Sequence, residues 1–195
     1  MASTSDDNTL PSVSPDGTKV LFTSNRLGAP QLFTIPIGGG SVHQITNLSS
    51  GAVQGRWSPD GTKIVFVSGL GNDDIFIADA DGTNVAQLTS SLADESAPSF
   101  SPDGSKIVYV RDYGTNGDFN GQIMTMSPNG TQGMRLTNTL MVDDEPCYSA
   151  DGAYIFFSRE VGFGREIMRM TAGGLSPTML TNYTAMSLCP RAPGP

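Results

Sequence analysis

One five-residue phrase recurs along this chain and sets its period. It reads Val13-Ser14-Pro15-Asp16-Gly17, then Trp57-Ser58-Pro59-Asp60-Gly61, then Phe100-Ser101-Pro102-Asp103-Gly104, and in degenerate form Tyr148-Ser149-Ala150-Asp151-Gly152. The aspartates stand 44, 43 and 48 positions apart, close to the period of roughly 40 to 45 residues that marks four-stranded propeller blades. The phrase is a turn device. Pro fixes φ at the first corner, Asp tolerates the second, and Gly supplies the left-handed position that a Cβ resists. Asp16, Asp60, Asp103 and Asp151 are therefore read as turn formers and given no chemistry.

After each turn comes an apolar run: Val20-Leu21-Phe22, Ile64-Val65-Phe66-Val67, Ile107-Val108-Tyr109-Val110 and Ile155-Phe156-Phe157. These runs are too short for helices and rich in β-branched and aromatic residues, which reads as strands covered on both faces. A second apolar run follows in each period, at Leu32-Phe33-Thr34-Ile35, Ile75-Phe76-Ile77, Ile123-Met124-Thr125-Met126 and Ile167-Met168-Arg169-Met170. The pairs Ile45-Thr46, Leu88-Thr89, Leu136-Thr137 and Leu180-Thr181, each preceded by polar residues, are expected in a short exposed edge strand. Trp57, Phe100, Tyr148 and Val13 are expected between blades as core. The expected fold is an all-β propeller of four four-stranded antiparallel blades, about 44 residues each. The segments are 1–9, an N-terminal stretch; 10–48, 49–91, 92–139 and 140–182, the blades; and 183–195, a tail restating the start of a fifth blade.

The Ser-Pro-Asp-Gly-x-Lys-Ile phrase, followed by an apolar strand, a second strand and a closing Leu-Thr, resembles the TolB-like (WD40-like) β-propeller repeat over about residues 8 to 182. That family builds propellers in bacterial envelope proteins, and similar blades form the non-catalytic gating domains of prolyl oligopeptidase-type peptidases. The resemblance implies a binding or scaffolding module, placed in the periplasm or outside the cell. Met1-Ala2-Ser3-Thr4-Ser5-Asp6-Asp7 lacks the basic start and apolar stretch of a signal peptide, so that location rests on the resemblance.

Charge and pattern exclude several classes. A net charge of −8 argues against nucleic acid, whose phosphates want Lys and Arg. No apolar stretch approaches the 18 or so residues of a membrane span. The only histidine, His43, falls on an expected outer strand, away from any serine nucleophile, so a hydrolase triad is not expected. The chain is read as non-enzymatic and without a cofactor.

Two acidic features remain. The loops entering the inner strands carry Asp6-Asp7, Asp94-Glu95 and Asp143-Asp144-Glu145; in a propeller these gather at the mouth of the central channel, where carboxylates bind a cation or a basic partner segment or stay solvated. Arg56 takes the place of Ser12, Ser99 and Cys147 in the other repeats, and is expected to point into the channel beside those carboxylates as a partner-contacting or ion-pairing residue. The long loop from Asp112 to Gly121 carries Asp112, Asn116, Asp118 and Asn120, a weak calcium candidate, because the EF-hand spacing puts Gly114 at position three and Ile123 at position twelve. Cys147 and Cys189 occupy equivalent repeat positions and are a disulfide candidate or two small buried residues.

The fourth repeat ends with its own outer strand, and no strand is left to knit last to first. Three arrangements stay open: a closed four-bladed ring, an excerpt of a longer propeller, or an array completed by self-association. The expected function is a protein-interaction or assembly module whose partner is another protein or itself. The alternatives are a structural subunit of a self-assembling ring or filament, and the propeller portion of a peptidase lacking its catalytic domain.

Overall fold

A computed structural model describes residues 7–69 and 71–181. Blade 1 is β1 (Asn8–Val13), β2 (Lys19–Ser24), β3 (Gln31–Pro36) and β4 (His43–Gln44); blade 2 is β5 (Val53–Trp57), β6 (Lys63–Ser68), β7 (Asp74–Asp79) and β8 (Ala86–Gln87). Blade 3 is β9 (Glu95–Phe100), β10 (Ile107–Asp112), β11 (Gly121–Met126) and β12 (Met134–Arg135); blade 4 is β13 (Asp143–Tyr148), β14 (Tyr154–Val161), β15 (Gly164–Thr171) and β16 (Thr178–Met179). Each set of four pairs antiparallel in chain order, giving four separate sheets and an all-β propeller of four blades.

The core lies between blades. On β6, Ile64 and Phe66 join Leu21, Leu32 and Ala52 in the cluster shared with blade 1, whereas Val65 and Val67 join Phe100, Ile107 and Tyr109 in the cluster shared with blade 3. Side chains alternate across a strand, so a strand sandwiched between two blades needs apolar residues at every position, which is why these runs are continuous. Blades 3 and 4 repeat the arrangement through Val108, Val110, Ile155 and Phe157.

The turns stack as well. In each Ser-Pro-Asp-Gly turn the Gly N–H donates to the Ser carbonyl, and Gly17, Gly61, Gly104 and Gly152 have φ near +70°. A Cβ on Gly61 would stand 3.7 Å from Pro15 of the preceding blade, with the same relation between Gly104 and Pro59 and between Gly152 and Pro102. Gly82 sits so close to Ile45 that a Cβ there would meet its carbonyl oxygen at 1.9 Å. The joint between blades therefore demands glycine at position 82, whereas at Gly61, Gly104 and Gly152 it is the positive φ of the hairpin that does.

Three local features differ from expectation. The outer strands stop before the Ile/Leu-Thr pairs, and Thr46, Thr89 and Thr137 are buried. Their hydroxyls, with that of Thr181, accept the N–H of Leu32, Ile75, Ile123 and Ile167. A two-residue outer strand cannot reach those donors, and a buried N–H needs a partner. Second, every inner strand carries a β-bulge, with a non-glycine residue at positive φ: Leu10, Gln54, Ala97 and Glu145. Third, Val13 is 55% exposed, whereas Phe100 is buried and Trp57 and Tyr148 are half-buried. Among the described residues no blade covers the face of blade 1 that carries Val13, and no strand of blade 4 touches blade 1. Within the described residues the four blades form an open series.

Candidate functional site

The inner strands of blades 1, 3 and 4 run from an acidic segment to a Ser-Pro-Asp-Gly or, in blade 4, Ser-Ala-Asp-Gly turn, so the two features lie at opposite ends of the blades. At the turn end the aspartates bond locally. Asp103 accepts from the Ser101 hydroxyl, the Ser105 N–H and the Ser105 hydroxyl; these donors hold its carboxyl down at about 2, as the matching set on Asp16 does. Asp60 and Asp151 are lowered for the same reason, each first by its own Ser hydroxyl. A carboxylate so bonded is a turn component and offers no free base.

At the acidic end the five channel-mouth carboxylates separate into two groups. Glu95 and Asp143 are fully buried, each at the first position of its inner strand. Arg111 Nε lies 2.7 Å from Glu95 Oε1, and Arg159 forks onto both Asp143 oxygens at 2.6 and 2.8 Å. Both arginines sit on the adjacent strand, directly opposite their carboxylate in the register. These two acids are interior ion pairs, which corrects the expectation that they line an open mouth: an unpaired buried carboxylate is too costly to keep. Asp94 and Glu145 are exposed and Asp144 is half-buried, 3.3 Å from Arg165. Asp94 also accepts the Asp73 N–H at 2.9 Å.

Arg56 is half-buried on β5, and burial lowers the pKa of its guanidinium. Nη1 donates to the Gly55 carbonyl at 3.0 Å. Among the described residues no carboxylate lies within ion-pairing distance of it, so the expected pairing with the acidic loops is not what the structure shows. Glu95, Asp143 and Asp144 are committed to Arg111, Arg159 and Arg165. Next to Arg56 the bulge residue Gln54 reaches across the joint, its Oε1 accepting the Ala97 N–H at 2.6 Å. Neither the bulges nor Arg111 and Arg159 stood out in the sequence. The bulge residues share no type, and the arginines lie 16 residues from their partners.

The long loop of blade 3 uses Asp112 internally: Oδ1 accepts the N–H groups of Gly114 and Asn120 at 2.7 and 2.8 Å. Asn120 Oδ1 accepts from Gln122, Asn116 takes a left-handed turn position, and the Asp118 N–H donates to Thr115. Among the described residues no three His, Cys, Asp or Glu side chains are grouped as a metal site would need. Cys147 is exposed on β13, and Cys189, like Asp6 and the tail, lies outside the described residues. His43 is exposed on β4, and no helix is long and apolar enough to cross a membrane among the described residues.

A family model described as the TolB beta propeller domain matches residues 1–120, more than half of the chain. The chain belongs to the TolB β-propeller domain family. Solved structures agree with the fold of this TolB-type chain. A structure described as TolB of Agrobacterium tumefaciens superposes with a TM-score of 0.76 at 24% identity, over 87% of this chain and 63% of that one. TolB of Acinetobacter baumannii gives 0.72 at 27% identity, over 85% of this chain and 41% of that one. Among curated relatives, a tricorn protease homolog of Streptomyces coelicolor is 46% identical over 52 residues, 26% of this chain and 5% of that protein. A peptidase named YuxL of Bacillus subtilis is 37% identical over 68 residues, 34% of this chain and 10% of that protein. The chain thus spans less than two thirds of each of these relatives.

Proposed function

We propose that this TolB-type propeller is a non-enzymatic protein-interaction module of the cell envelope, and that its binding face runs along the inner strands, from Arg56 near the turn end of blade 2 to the exposed acids at the other end of blades 3 and 4. The observation that carries the reading is Arg56. It is a half-buried cation without a carboxylate of its own among the described residues, and it sits on the inner strand of blade 2. On the later blades of the series, Asp94 at the entry to blade 3 and Glu145 on blade 4 are exposed. Desolvated charge awaiting a partner is what a recognition site holds ready, since a contacting group of opposite sign regains the lost solvation. The TolB relatives support an envelope address and a role in protein contacts. A photocrosslinker at Glu145 should yield adducts with another protein in cells, while one at Asp151, at the opposite end of blade 4, should not. Equal adducts from both positions, or none from Glu145, would remove the reading.

A second reading is favoured by the open series. The face of blade 1 that carries Val13 and the trailing face of blade 4, where Leu180 is 48% exposed, are the two halves of a joint the molecule makes three times. A second copy docking head to tail would use that joint again, giving a ring if the rotation closes and a filament if it does not. In a longer protein of the kind named by the two peptidase relatives, the same faces would receive further blades, and the module would serve beside a catalytic domain.

A further inference from the structure

In the third strand of every blade the residue just before the apolar run, which begins at Leu32, Ile75, Ile123 and Ile167, is polar and buried: Gln31, Asp74, Gln122 and Glu166. In blades 1 and 3 it is an amide that both gives and takes. Gln31 donates to the Leu48 carbonyl at 2.7 Å and accepts from Thr46 and Leu48, whereas Gln122 donates to the Met141 carbonyl at 2.9 Å and accepts from Thr139. These bonds tie each blade to the segment leading into the next. Asp74 as a carboxylate can only accept, from Gln87 at 2.8 Å and from Thr89 at 3.3 Å.

Across the joint from Asp74 stands Glu95, with 0% exposure against 7% for Asp74; the Glu95 N–H donates to the carbonyl of Asp73, next to Asp74, at 2.7 Å, and the Asp74 carboxyl acts on that of Glu95. Glu95 Oε1 is well served, by the Ser91 hydroxyl at 2.6 Å and by Arg111 Nε at 2.7 Å. Glu95 Oε2 is buried and accepts no hydrogen bond. The joint therefore buries two carboxyl groups beside one arginine, which bonds Glu95 alone. The other joints avoid this, with Gln31 and Ala52 at the first and Gln122 and Asp143 at the third, where Arg159 serves both Asp143 oxygens. A second negative charge in this place is strongly opposed, and a hydrogen between the two carboxyls removes it.

We propose that Glu95 Oε2, buried and accepting no hydrogen bond, carries a hydrogen and donates it to Asp74. The joint between blades 2 and 3 is then closed by an acid–carboxylate hydrogen bond that weakens when the proton leaves. The protonated acid takes the part that the amide plays in blades 1 and 3, as a neutral donor at the same boundary. Every other charged group nearby fits. Burial raises the Glu95 carboxyl, and the Asp74 carboxylate raises it further, while Ser91 and Arg111 oppose. Asp73, beside Asp74 and bonded through its N–H to Asp94, is raised by burial and by those two acids. Tyr109, on the strand of Arg111, is raised by burial and adds no charge. A group raised on folding stabilises fully below its unfolded value and loses that contribution as pH climbs through its folded value, so the joint loosens on the alkaline side.

The test follows the unfolding midpoint in urea from about pH 4.5 to about pH 8 for the natural chain, Glu95→Gln and Asp74→Asn, together with the Glu95 side-chain carboxyl carbon shift by NMR. The expected result is a midpoint that falls with pH in the natural chain and a flatter profile in both variants, which keep a neutral donor in the pair. The carboxyl carbon should stay protonated past the range of the other glutamates. A Glu95 that titrates with the exposed glutamates, or a Glu95→Gln profile parallel to the natural one, overturns the proposal. So does a gain in alkaline midpoint on adding calcium or magnesium that Glu95→Gln lacks, because a cation and not a proton would then fill the gap.

Discussion

At Asp103 and its three counterparts, one carboxylate organises a whole turn by taking a hydroxyl from two residues before it and an N–H from two residues after. The first-named aspartate and Asp16 are held at about 2 by these donors. Groups depressed on folding stabilise above their unfolded value and lose that contribution as pH falls through the folded one. Stability should therefore drop between about pH 4 and about pH 2, and a variant with Asn at positions 16, 60, 103 and 151 should show a shallower acid transition by circular dichroism. The bulge residues predict the opposite kind of change. Glu145 is exposed and sits at φ 52°, where a side chain costs about 1 kcal/mol that glycine does not. Glu145→Gly should raise the unfolding free energy by about 0.5–1 kcal/mol, measured by urea titration, while weakening partner contact if the proposed binding face is right. The turns were legible in the sequence, because Pro, Asp and Gly each have a local reason to be there. The bulges were not, since Leu10, Gln54, Ala97 and Glu145 carry no left-handed signal and the strain is imposed by the sheet.

At the scale of the strand, equivalent residues in different blades report how much of the core comes from the neighbour. Phe66 and Phe22 hold the same place, each stacked on a phenylalanine of its third strand, with ring centroids 5.8 and 6.0 Å apart. Phe66 is sealed against blade 1, whereas Phe22 is capped on its open side by Arg26, whose guanidinium lies 5.3 Å from its ring centroid. Phe66→Ala should cost about 3–5 kcal/mol, as a large-to-small change in a packed core does. Phe22→Ala should cost distinctly less, because part of its surface faces solvent rather than a blade. Equal losses in urea unfolding would mean that something outside the described residues covers blade 1. The apolar runs announced these strands, and the unbroken apolar pattern announced burial on both faces. The acidic loops misled for a physical reason. A sequence shows Glu95 and Asp143 beside exposed acids, but only strand register shows the arginines facing them.

For the molecule as a whole, the joint between blades is the repeating unit. A turn glycine meets the preceding proline, an apolar strand face meets another, and a strand-three polar residue ties one blade to the next. The two outermost faces of the described series are unmatched halves of that unit, with Val13 at one end and Leu180 at the other. Closure was the one architectural question the residues left open, since it depends on the angle between blades, which no residue pattern encodes. The most direct test of the joint as the molecule's unit is the solution mass by light scattering across a concentration series, for the natural chain and for Val13→Asp with Leu180→Asp. The account predicts a mass that rises with concentration above the 20.5 kDa of one chain and a double variant that stays monomeric. A natural chain that remains at the monomer mass at every concentration would contradict it.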